Sequence, residues 1–379
     1  MTAPASLRIR LDGLTKVYPG SAAPAVEGLS LDLPAGRITA LIGPSGCGKT
    51  TVLKMINRLI EPTAGTVVIG ERDAASMPVH ELRRGIGYVI QHVGLFPHRS
   101  VGDNIATVPR LLDWDRDRIA ERVSELADLV GLAPELLTRY PAALSGGQQQ
   151  RVGVARALAA DPPILLMDEP YSAVDPIVRG RLQDDLLDLQ DRLGKTIVLV
   201  THDIDEAVKL GDRIALLAVG GRLEQFAAPD DLLSAPASPF VEEFVGGERT
   251  LRRMGLLTVD DIEVQPPFVV TPDLDAAEAL RRMKRRNTGW VGVVGGDDRL
   301  LGWAAATDLE RVGKVGEVEL RAWSATVRSD TPLREVIDLI IASRTRVAAV
   351  VDPAGRLVGT LGFDHLSEQV RAAEPATVA

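Results

Sequence analysis

The chain has 379 residues, 45% of them hydrophobic and 25% charged, with a formal net charge of -9 and an isoelectric point near 5.2. That length suits two or three folded domains, and the acidic balance argues against nucleic acid as the principal ligand. The single cysteine, Cys47, excludes an intramolecular disulfide and suits a reducing cytoplasm. Because no apolar run is long enough to span a membrane and the first residues have no apolar signal core, we expect any membrane role to come through a partner.

The predicted elements alternate between strands and helices. Alternating apolar residues in 7–33 predict two short strands around a turn-rich loop. The next stretch, RITALIGPSGCGKTTVLKMINRL, predicts a buried strand, a glycine-rich loop and a helix. Helical periodicity returns over 112–140 and again after LSGG, and the buried strands PILLMDEP and TIVLVTHD flank the helical segment RGRLQDDLLDLQDRLG. This alternation predicts a mostly parallel sheet covered on both faces.

The glycine-rich loop after the first buried strand has the spacing of a phosphate-binding loop. It reads Gly43, Pro44, Ser45, Gly46, Cys47, Gly48, Lys49, Thr50. Glycines let backbone N–H groups surround phosphates, a lysine here reaches the β and γ phosphates, and the hydroxyl of Thr50 can bind Mg²⁺. The alternative is a glycine-rich turn with a surface lysine. The strand before the loop and the helix after it favour a nucleotide site.

A serine, two glycines and a glutamine stand at the head of a predicted helix, at Ser145, Gly146, Gly147 and Gln148. Serine and glutamine at this spacing form a capping box, which requires no glycine. Each glycine inside a helix costs about 1 kcal/mol relative to alanine. We therefore expect another group to approach this backbone closely.

Two later strands end in polar residues. Asp168 and Glu169 close the strand ILLMD, where Asp168 would hold a metal and Glu169 would accept a proton from an attacking water. His202 follows the strand TIVLVT and could contact the γ-phosphate. The alternatives are a pair of solvated acids and a partly buried histidine that caps the following helix. The convergence of three strand ends at one edge favours the functional interpretation.

In this order, the motifs resemble those of the ATP-binding cassette (ABC) ATPases. That resemblance implies a P-loop (RecA-like) α/β core with an antiparallel β subdomain and a helical subdomain, the latter at about 91–160. It also implies head-to-tail dimers, in which the signature 145–148 of one subunit faces the phosphate loop of the other. The two glycines and Ser145 would then contact the γ-phosphate of an ATP held by the partner.

Further family positions match residue by residue. Tyr18 falls at the aromatic position that stacks on adenine, and Thr51 completes the ATP-binding set. Gln91 falls at the position of the glutamine that senses Mg²⁺ and the transmembrane partner. The resemblance therefore implies a metal site formed by Thr50, Gln91 and Asp168. It also implies three catalytic residues, Gln91, Glu169 and His202. Asp175 falls in the dimer-contact loop.

Four stretches are similar to the ATPase subunits of osmoprotectant importers for glycine betaine, carnitine and choline: KMINRLIEPTAG, ELRRGIGYVIQHVGLFPH, NIATVPRLLDWD and LGKTIVLVTHDIDEAVKLGDRIAL. The resemblance implies a homodimer at the cytoplasmic face of a bacterial cell membrane, two transmembrane permease subunits and an external substrate-binding protein. Membrane contact would come through the permease. The alternatives are an importer ATPase for another small solute such as an amino acid or polyamine, a soluble non-transport ABC ATPase, and a regulator that binds ATP without hydrolysing it.

A composition shift near residue 234 predicts the end of an ABC domain at 1–246 and a linker at 247–263. A weak repeat follows, in which TPDLDAAEALRRM with WVGVVGGDDRLLGW corresponds to DTPLREVIDLII with VAAVVDPAGRLVGT. It resembles a pair of CBS motifs, an α+β module at 264–371, with a disordered tail at 372–379.

CBS pairs frequently bind adenine nucleotides through a threonine and an aspartate. The first copy keeps the aspartate as Asp308 but has Ala305 for the threonine, and the second has Gly362 and His365 at the two positions. The basic run 281–286 offers a second possibility, ionic-strength sensing at anionic lipid, against the alternative of a solvated helix face.

Overall fold

A computed structural model describes residues 6–91, 94–172 and 174–372. The chain divides into two compact units, Met1–Leu232 with Pro236–Gly246, and Leu233–Ala235 with Gly247–Ala379. Up to residue 246 the elements are β1 (Ile9–Lys16), β2 (Val26–Leu33), β3 (Ile38–Ile42), α1 (Lys49–Ile56), β4 (Ala64–Ile69), β5 (Arg72–Asp73), α2 (Val79–Arg84), β6 (Ile86–Val89), α3 (Val101–Ile105), α4 (Thr107–Leu111), α5 (Arg116–Leu129), α6 (Gly146–Leu158), β7 (Ile164–Asp168), α7 (Pro176–Leu193), β8 (Thr196–Val200), α8 (Ile204–Leu210), β9 (Arg213–Ala218), β10 (Arg222–Ala227), α9 (Pro229–Ser234) and α10 (Pro239–Val245).

The first unit is built on a six-stranded sheet with the order β10-β9-β3-β8-β7-β6, parallel except for the β9–β10 hairpin. Every residue of β3, β7 and β8 is buried, as expected for strands covered on both faces. One core lies on the α1 side and includes Val52 and Leu53, and the other lies on the α6 and α7 side and includes Val152 and Leu182. The predicted parallel sheet is confirmed.

A second, four-stranded sheet has the order β2-β1-β4-β5, with antiparallel pairing throughout. Its apolar residues, including Ile9, Leu11 and Leu33, join the core on the α1 side. The P-loop core with an antiparallel β subdomain is therefore present as predicted.

Between β6 and β7, the part of the chain that the structure describes contains the four α-helices α3 to α6. The helical periodicity of 112–140 yields one α-helix, α5, which begins after its N-cap Asp115 and is followed by Gly131 with a φ of 63°. Two 3₁₀ turns, Pro134–Thr138 and Pro141–Ala143, replace the second half of that segment. The left-handed glycine and the prolines end α-helix here, since neither is favourable in a helix interior.

The second unit contains a tandem repeat. Its elements are α11 (Arg249–Met254), β11 (Val269–Val270), α12 (Ala276–Arg285), β12 (Trp290–Val294), β13 (Leu300–Ala305), α13 (Ala306–Leu309), β14 (Thr326–Val327), α14 (Leu333–Ala342), β15 (Val347–Val351), β16 (Leu357–Gly362) and α15 (Phe363–Ala372). Each copy has one three-stranded sheet, β11-β12-β13 or β14-β15-β16, with a parallel first pair and an antiparallel hairpin. The repeat pattern identified the helices and hairpins but not the two-residue strands β11 and β14, which are too short to show periodicity.

The two copies form one module because their hairpin turns bond to each other. Leu300 N donates to Gly355 O at 3.4 Å, and Leu357 N donates to Asp298 O at 2.9 Å. The predicted disordered tail, 372–379, lies outside the described residues apart from Ala372, with which α15 ends. Across the described ranges, no helix has the length and apolar character needed to cross a bilayer.

Candidate active site

The loop between β3 and α1 can be made only with glycine at particular positions. Gly43 has a φ of 146°, and a Cβ there would lie 2.1 Å from Leu217 O. Gly48 has a φ of 106°, and a Cβ there would lie 2.4 Å from Ala25 O. Backbone oxygens of β9 and of the residue before β2 therefore lie so close to the loop 43–48 that only glycine fits at these two positions. The backbone of the loop is therefore preformed as a concave surface at the N-terminus of α1, the geometry that binds phosphate.

Lys49 turns back onto this loop. Its ammonium is almost fully buried and donates to Gly43 O at 2.8 Å and to Pro44 O at 3.1 Å. A lysine whose ammonium donates to loop carbonyls is held at the concave surface and can exchange these acceptors for phosphate oxygens.

Thr50 joins the loop to the end of β7. Its hydroxyl donates to Asp168 Oδ1 at 2.9 Å, and Tyr88 OH on β6 donates to Asp168 Oδ2 at 3.5 Å. Burial raises the pKa of the Asp168 carboxyl, against the opposing hydrogen bond from Thr50. Burial also raises the pKa of the Tyr88 phenol, and the Asp168 charge adds to that shift. Tyr88 was not identified from sequence, since a tyrosine within a strand carries no motif.

Glu169, Gln91 and His202 meet just beyond Asp168. The carboxylate Oε2 of Glu169 accepts from Gln91 Nε2 at 3.1 Å and lies 3.3 Å from His202 Nδ1. Glu169 itself has a φ of 45°, and its N–H donates to Val200 O at 2.9 Å. The three predicted catalytic side chains thus lie together, each at the carboxyl end of a different strand.

His202 does not cap the following helix. Its side chain is 59% exposed, and Asp203 is the N-cap of α8, accepting from Asp205 N and Glu206 N. The capping alternative for His202 is therefore wrong, and the imidazole is available to a ligand at this edge.

Tyr18 and Asp175 each lie next to the N-terminus of a helix. The Tyr18 ring is partly exposed, its hydroxyl lies 3.4 Å from Thr51 Oγ1, and Lys16 Nζ lies 5.4 Å from the ring centroid. An aromatic face is thus available next to the N-terminal turn of α1. Asp175 is the N-cap of α7, accepting from Val178 N at 3.1 Å.

The signature segment has the predicted capping box. Ser145 Oγ accepts from Gln148 N at 3.3 Å, and Gln148 Oε1 accepts from Ser145 N at 2.9 Å. Ser145 and Gly146 are exposed, but Gly147 is buried, and a Cβ there would lie 2.7 Å from Val178 Cγ1 on α7. The expectation that both glycines serve a facing phosphate therefore needs correction, because close packing of α6 on α7 within the chain already requires the second.

Within one chain the signature and the phosphate loop are not connected. Across the described residues, no hydrogen bond or ion pair joins 145–148 to 43–50. Within one chain, the exposed Ser145 and Gly146 are therefore not bonded to the described phosphate loop.

Cys47 has a different environment from the one expected for a reactive thiol. Its side chain is fully buried in the core on the α1 side, with Sγ 3.7 Å from Lys49 Nζ. We expect a maleimide to modify the native protein at least about tenfold more slowly than the denatured protein, because reaction requires local opening. Timed alkylation read by intact mass tests this, and equal rates in the two states would contradict the burial.

Asp308 in the C-terminal module is engaged within its own unit. Its Oδ2 lies 2.8 Å from Arg321 Nη2, and the Arg321 guanidinium stacks on Trp303 at 4.9 Å. A nucleotide ribose at Asp308 would have to displace this ion pair. The basic run is also paired, since Arg281, Arg282 and Arg285 all lie within 3.6 Å of the carboxylate of Glu278.

Comparison with known proteins agrees with this geometry. Residues 26–172 match the ABC transporter family, and residues 259–313 and 324–371 match the CBS domain. The osmoprotectant import ATP-binding protein OsmV of Salmonella typhimurium is 44% identical over 95% of each chain. The glycine betaine/carnitine/choline transport ATP-binding protein OpuCA of Bacillus subtilis is 44% identical over 93% of each.

Among solved structures, a dimeric ATP-binding cassette in a post-hydrolysis state, bound to ADP and Pi, is similar to the first unit. It is 34% identical, covers 58% of this chain and 98% of its own, and gives a TM-score of 0.53. The similarity in sequence extends over nearly the full length of the relatives, and the similarity in fold covers the first unit. The chain belongs to the family of ABC-transporter ATP-binding subunits that includes the osmoprotectant importers, and it contains a pair of CBS domains in its C-terminal part.

Proposed function

We propose that this chain hydrolyses ATP to energise an importer of osmoprotectants such as glycine betaine, carnitine or choline. The observation that carries the hydrolytic part is the meeting of Gln91, Glu169 and His202 at one carboxylate, beside the phosphate loop. A protein that only binds ATP has no need of a base and its orienting groups at this point.

ATP would be held by the loop 43–48, Lys49, Thr50 and Thr51. Backbone N–H groups of the loop and the ammonium of Lys49 would bind the phosphates, and the partly exposed ring of Tyr18 would stack on adenine. The carbonyls that Lys49 contacts lie in the same loop. Phosphate oxygens bound in this loop could replace the carbonyls as acceptors for the Lys49 ammonium, and the backbone would not need to move.

The residues present fit a magnesium ion. Mg²⁺ prefers oxygen ligands, and the Thr50 hydroxyl and Asp168 carboxylate are already 2.9 Å apart. Gln91, the third residue that would hold the ion, donates to Glu169, the residue after Asp168. The raised pKa of the buried Asp168 indicates a carboxylate whose charge lacks full compensation within the chain. When bound, Mg²⁺ neutralises charge on the phosphates.

Glu169 would act as the general base. Its Oε2 would accept a proton from the attacking water, while Gln91 Nε2 and His202 Nδ1 fix the orientation of the carboxylate. The exposed imidazole would also contact the γ-phosphate. Asp168 and Thr50 would hold Mg²⁺ beside this group.

We infer a head-to-tail homodimer with two composite ATP sites. Support comes from the exposed Ser145 and Gly146, at a helix whose first turn contains no acidic residue, and from the dimeric cassette described above. Asp175, ordered as the N-cap of α7, would lie at the subunit contact.

The permease would contact a groove beside the metal residues. This groove, of about 310 Å³, is lined by Arg83, Arg84, Tyr88, Phe96 and Val108, among others. Tyr88 also donates a hydrogen bond to Asp168. A partner that moves in the groove would therefore shift the Tyr88 side chain and, through it, Asp168. Because similar chains are ATP-binding subunits of importers, we infer that this subunit lies at the cytoplasmic face of the cell membrane, attached through the permease and served by an external substrate-binding protein.

The C-terminal module would regulate hydrolysis. The second copy has a cavity of about 710 Å³ that a regulatory ligand could enter, lined by apolar residues such as Ile340 and Phe363 and by the charged residues Arg346 and Asp364, among others. Pairing of three arginines with Glu278 supports a solvated helix face, and not a lipid-binding one, for 281–286.

The solute is tested by uptake. Cells lacking their own osmoprotectant importers would express this chain with its permease and binding protein, and we expect uptake of labelled choline or glycine betaine that is lost in Lys49→Ala. Lys314→Ala, an exposed lysine of the second unit, serves as the matched control. Uptake of an amino acid or a polyamine in place of quaternary amines would reject the osmoprotectant assignment and leave the ATPase assignment intact.

A further inference from the structure

A buried carboxyl lies one turn beyond His202. Glu206 is on α8 and is 7% exposed, and its Oε2 accepts a hydrogen bond from Thr201 Oγ1. The same hydroxyl oxygen accepts from Asp203 N at 3.0 Å. The Thr201 hydroxyl therefore donates its proton to Glu206 and uses one of its two lone pairs to accept from Asp203 N. One side-chain bond thus fixes the backbone on both sides of His202.

A guanidinium connects this segment to the dimer-contact loop. Arg179 on α7 donates from Nη2 to Val174 O at 3.2 Å, next to Asp175, and its Nη1 lies 3.7 Å from Asp203 Oδ2. Among the described residues, Arg179 Nε and Glu206 Oε1 are both buried without a hydrogen-bond partner. Most buried polar side-chain atoms in proteins have a hydrogen-bond partner, so these two unpartnered atoms require an explanation.

The charged and titratable groups that face Glu206 come from three segments of the chain. Arg179 lies on α7, His202 and Asp203 precede α8, and the fully buried Tyr171 follows β7. Burial, and then the charge of Asp203, raise the pKa of Glu206 to about 7, while the Thr201 hydroxyl, Arg179 and His202 act in the opposite direction. The carboxyl therefore changes charge close to neutral pH.

We propose that Glu206 and Arg179 are positioning residues that hold His202 beside Glu169 and tie it to the loop of Asp175, with Glu206 acting in its ionised form. This inference rests on the proposed hydrolytic role of Glu169 and His202. An ionised carboxylate is the stronger acceptor for Thr201 and attracts Arg179. Protonation would remove this charge, so the neutral carboxyl would be a weaker acceptor for Thr201 and would attract Arg179 less.

The test compares Glu206→Gln with the wild type, as full-length proteins, in steady-state ATP hydrolysis between pH 6 and 8.5. We expect the ratio of wild-type to variant kcat to be about tenfold at pH 8.5 and less than about twofold at pH 6, with KM for ATP changed less than about twofold. The ratio cancels the titration of other groups, which both proteins share. Asp205→Asn removes a charge from the exposed side of the same turn and should give a ratio near one at every pH.

Unfolding is separated from mispositioning by the thermal midpoint at pH 8.5. A carboxyl whose folded pKa is raised destabilises the fold when ionised, above about pH 7, and this cost disappears as the pH falls. The neutral amide avoids it, so Glu206→Gln should unfold at the same temperature as the wild type or higher. Lower activity in an equally stable protein supports positioning.

Arg179→Gln gives an independent arm. If the two residues act as one unit, the double variant Arg179→Gln/Glu206→Gln should lose no more than about twofold beyond the worse single variant at pH 8.5. Arg181→Gln, an exposed arginine of the same helix, should hydrolyse ATP at the wild-type rate.

A kcat ratio that stays constant across the pH range, or effects of the two variants that multiply, would overturn the inference. Failure of the proposed function has a different signature. If Glu169→Gln hydrolyses ATP as fast as the wild type, the cluster is not the hydrolytic site, whereas an inactive Glu169→Gln with a flat Glu206→Gln ratio removes only the positioning role.

Discussion

Glu169→Gln is expected to lower the rate of ATP hydrolysis at least about 100-fold while ATP still binds, because the amide cannot accept a proton from water. The amide oxygen can still accept from Gln91 Nε2, now 3.1 Å from Oε2, so the site should keep its shape. The phosphate loop and Lys49 are unchanged, so affinity for ATP should stay within a few-fold of the wild type.

The measurement combines phosphate release with light scattering. In the presence of ATP and Mg²⁺, the variant should accumulate as a dimer, since closed subunits can reopen only after hydrolysis. Asp188→Asn makes the same carboxylate-to-amide change on the exposed face of α7 and should behave as the wild type. Hydrolysis by Glu169→Gln at the wild-type rate would contradict the assignment of the base.

Gly146→Asp is expected to abolish hydrolysis, by about 100-fold or more, while leaving ATP binding at Lys49 intact. A carboxylate at the exposed first residue of α6 favours the helix N-terminus, so folding should not suffer. In a head-to-tail dimer, however, this carboxylate would face the γ-phosphate held by the partner. Gly146→Asn, which has nearly the same shape without the charge, is the matched control and should lose much less.

Mixing variants tests whether the site is shared between subunits. A heterodimer of Lys49→Ala and Gly146→Asp carries both lesions in one composite site and none in the other. Two inactive preparations should therefore recover roughly a quarter of wild-type activity when subunits exchange freely. Complete absence of recovery in verified heterodimers would contradict the shared site.

The sequence predicted well those features that depend on neighbours along the chain. The phosphate loop, the strand ends at Asp168 and His202 and the capping box at Ser145 are local patterns, and the parallel sheet follows from their alternation. Even the convergence of Gln91, Glu169 and His202 could be expected, because parallel strands present their carboxyl ends at one edge.

Features that depend on contacts distant in sequence were not predictable. The packing of Gly147 on Val178 and the ion pair of Asp308 with Arg321 link residues whose pairing leaves no local pattern. The same holds for Cys47, which is fully buried although it stands in a glycine-rich loop before a helix. The bridge from Arg179 to Asp203 likewise joins two loops that only the tertiary fold brings together.

The left-handed backbone of Glu169 has a consequence for how this sequence can change over time. A glutamate with a φ of 45° carries roughly 1–2 kcal/mol of strain that glycine at the same place would not. Glu169→Gly would relieve that strain, and by the proposed mechanism it would also remove the base. At this position, therefore, selection for a more stable fold and selection for ATP turnover favour different residues.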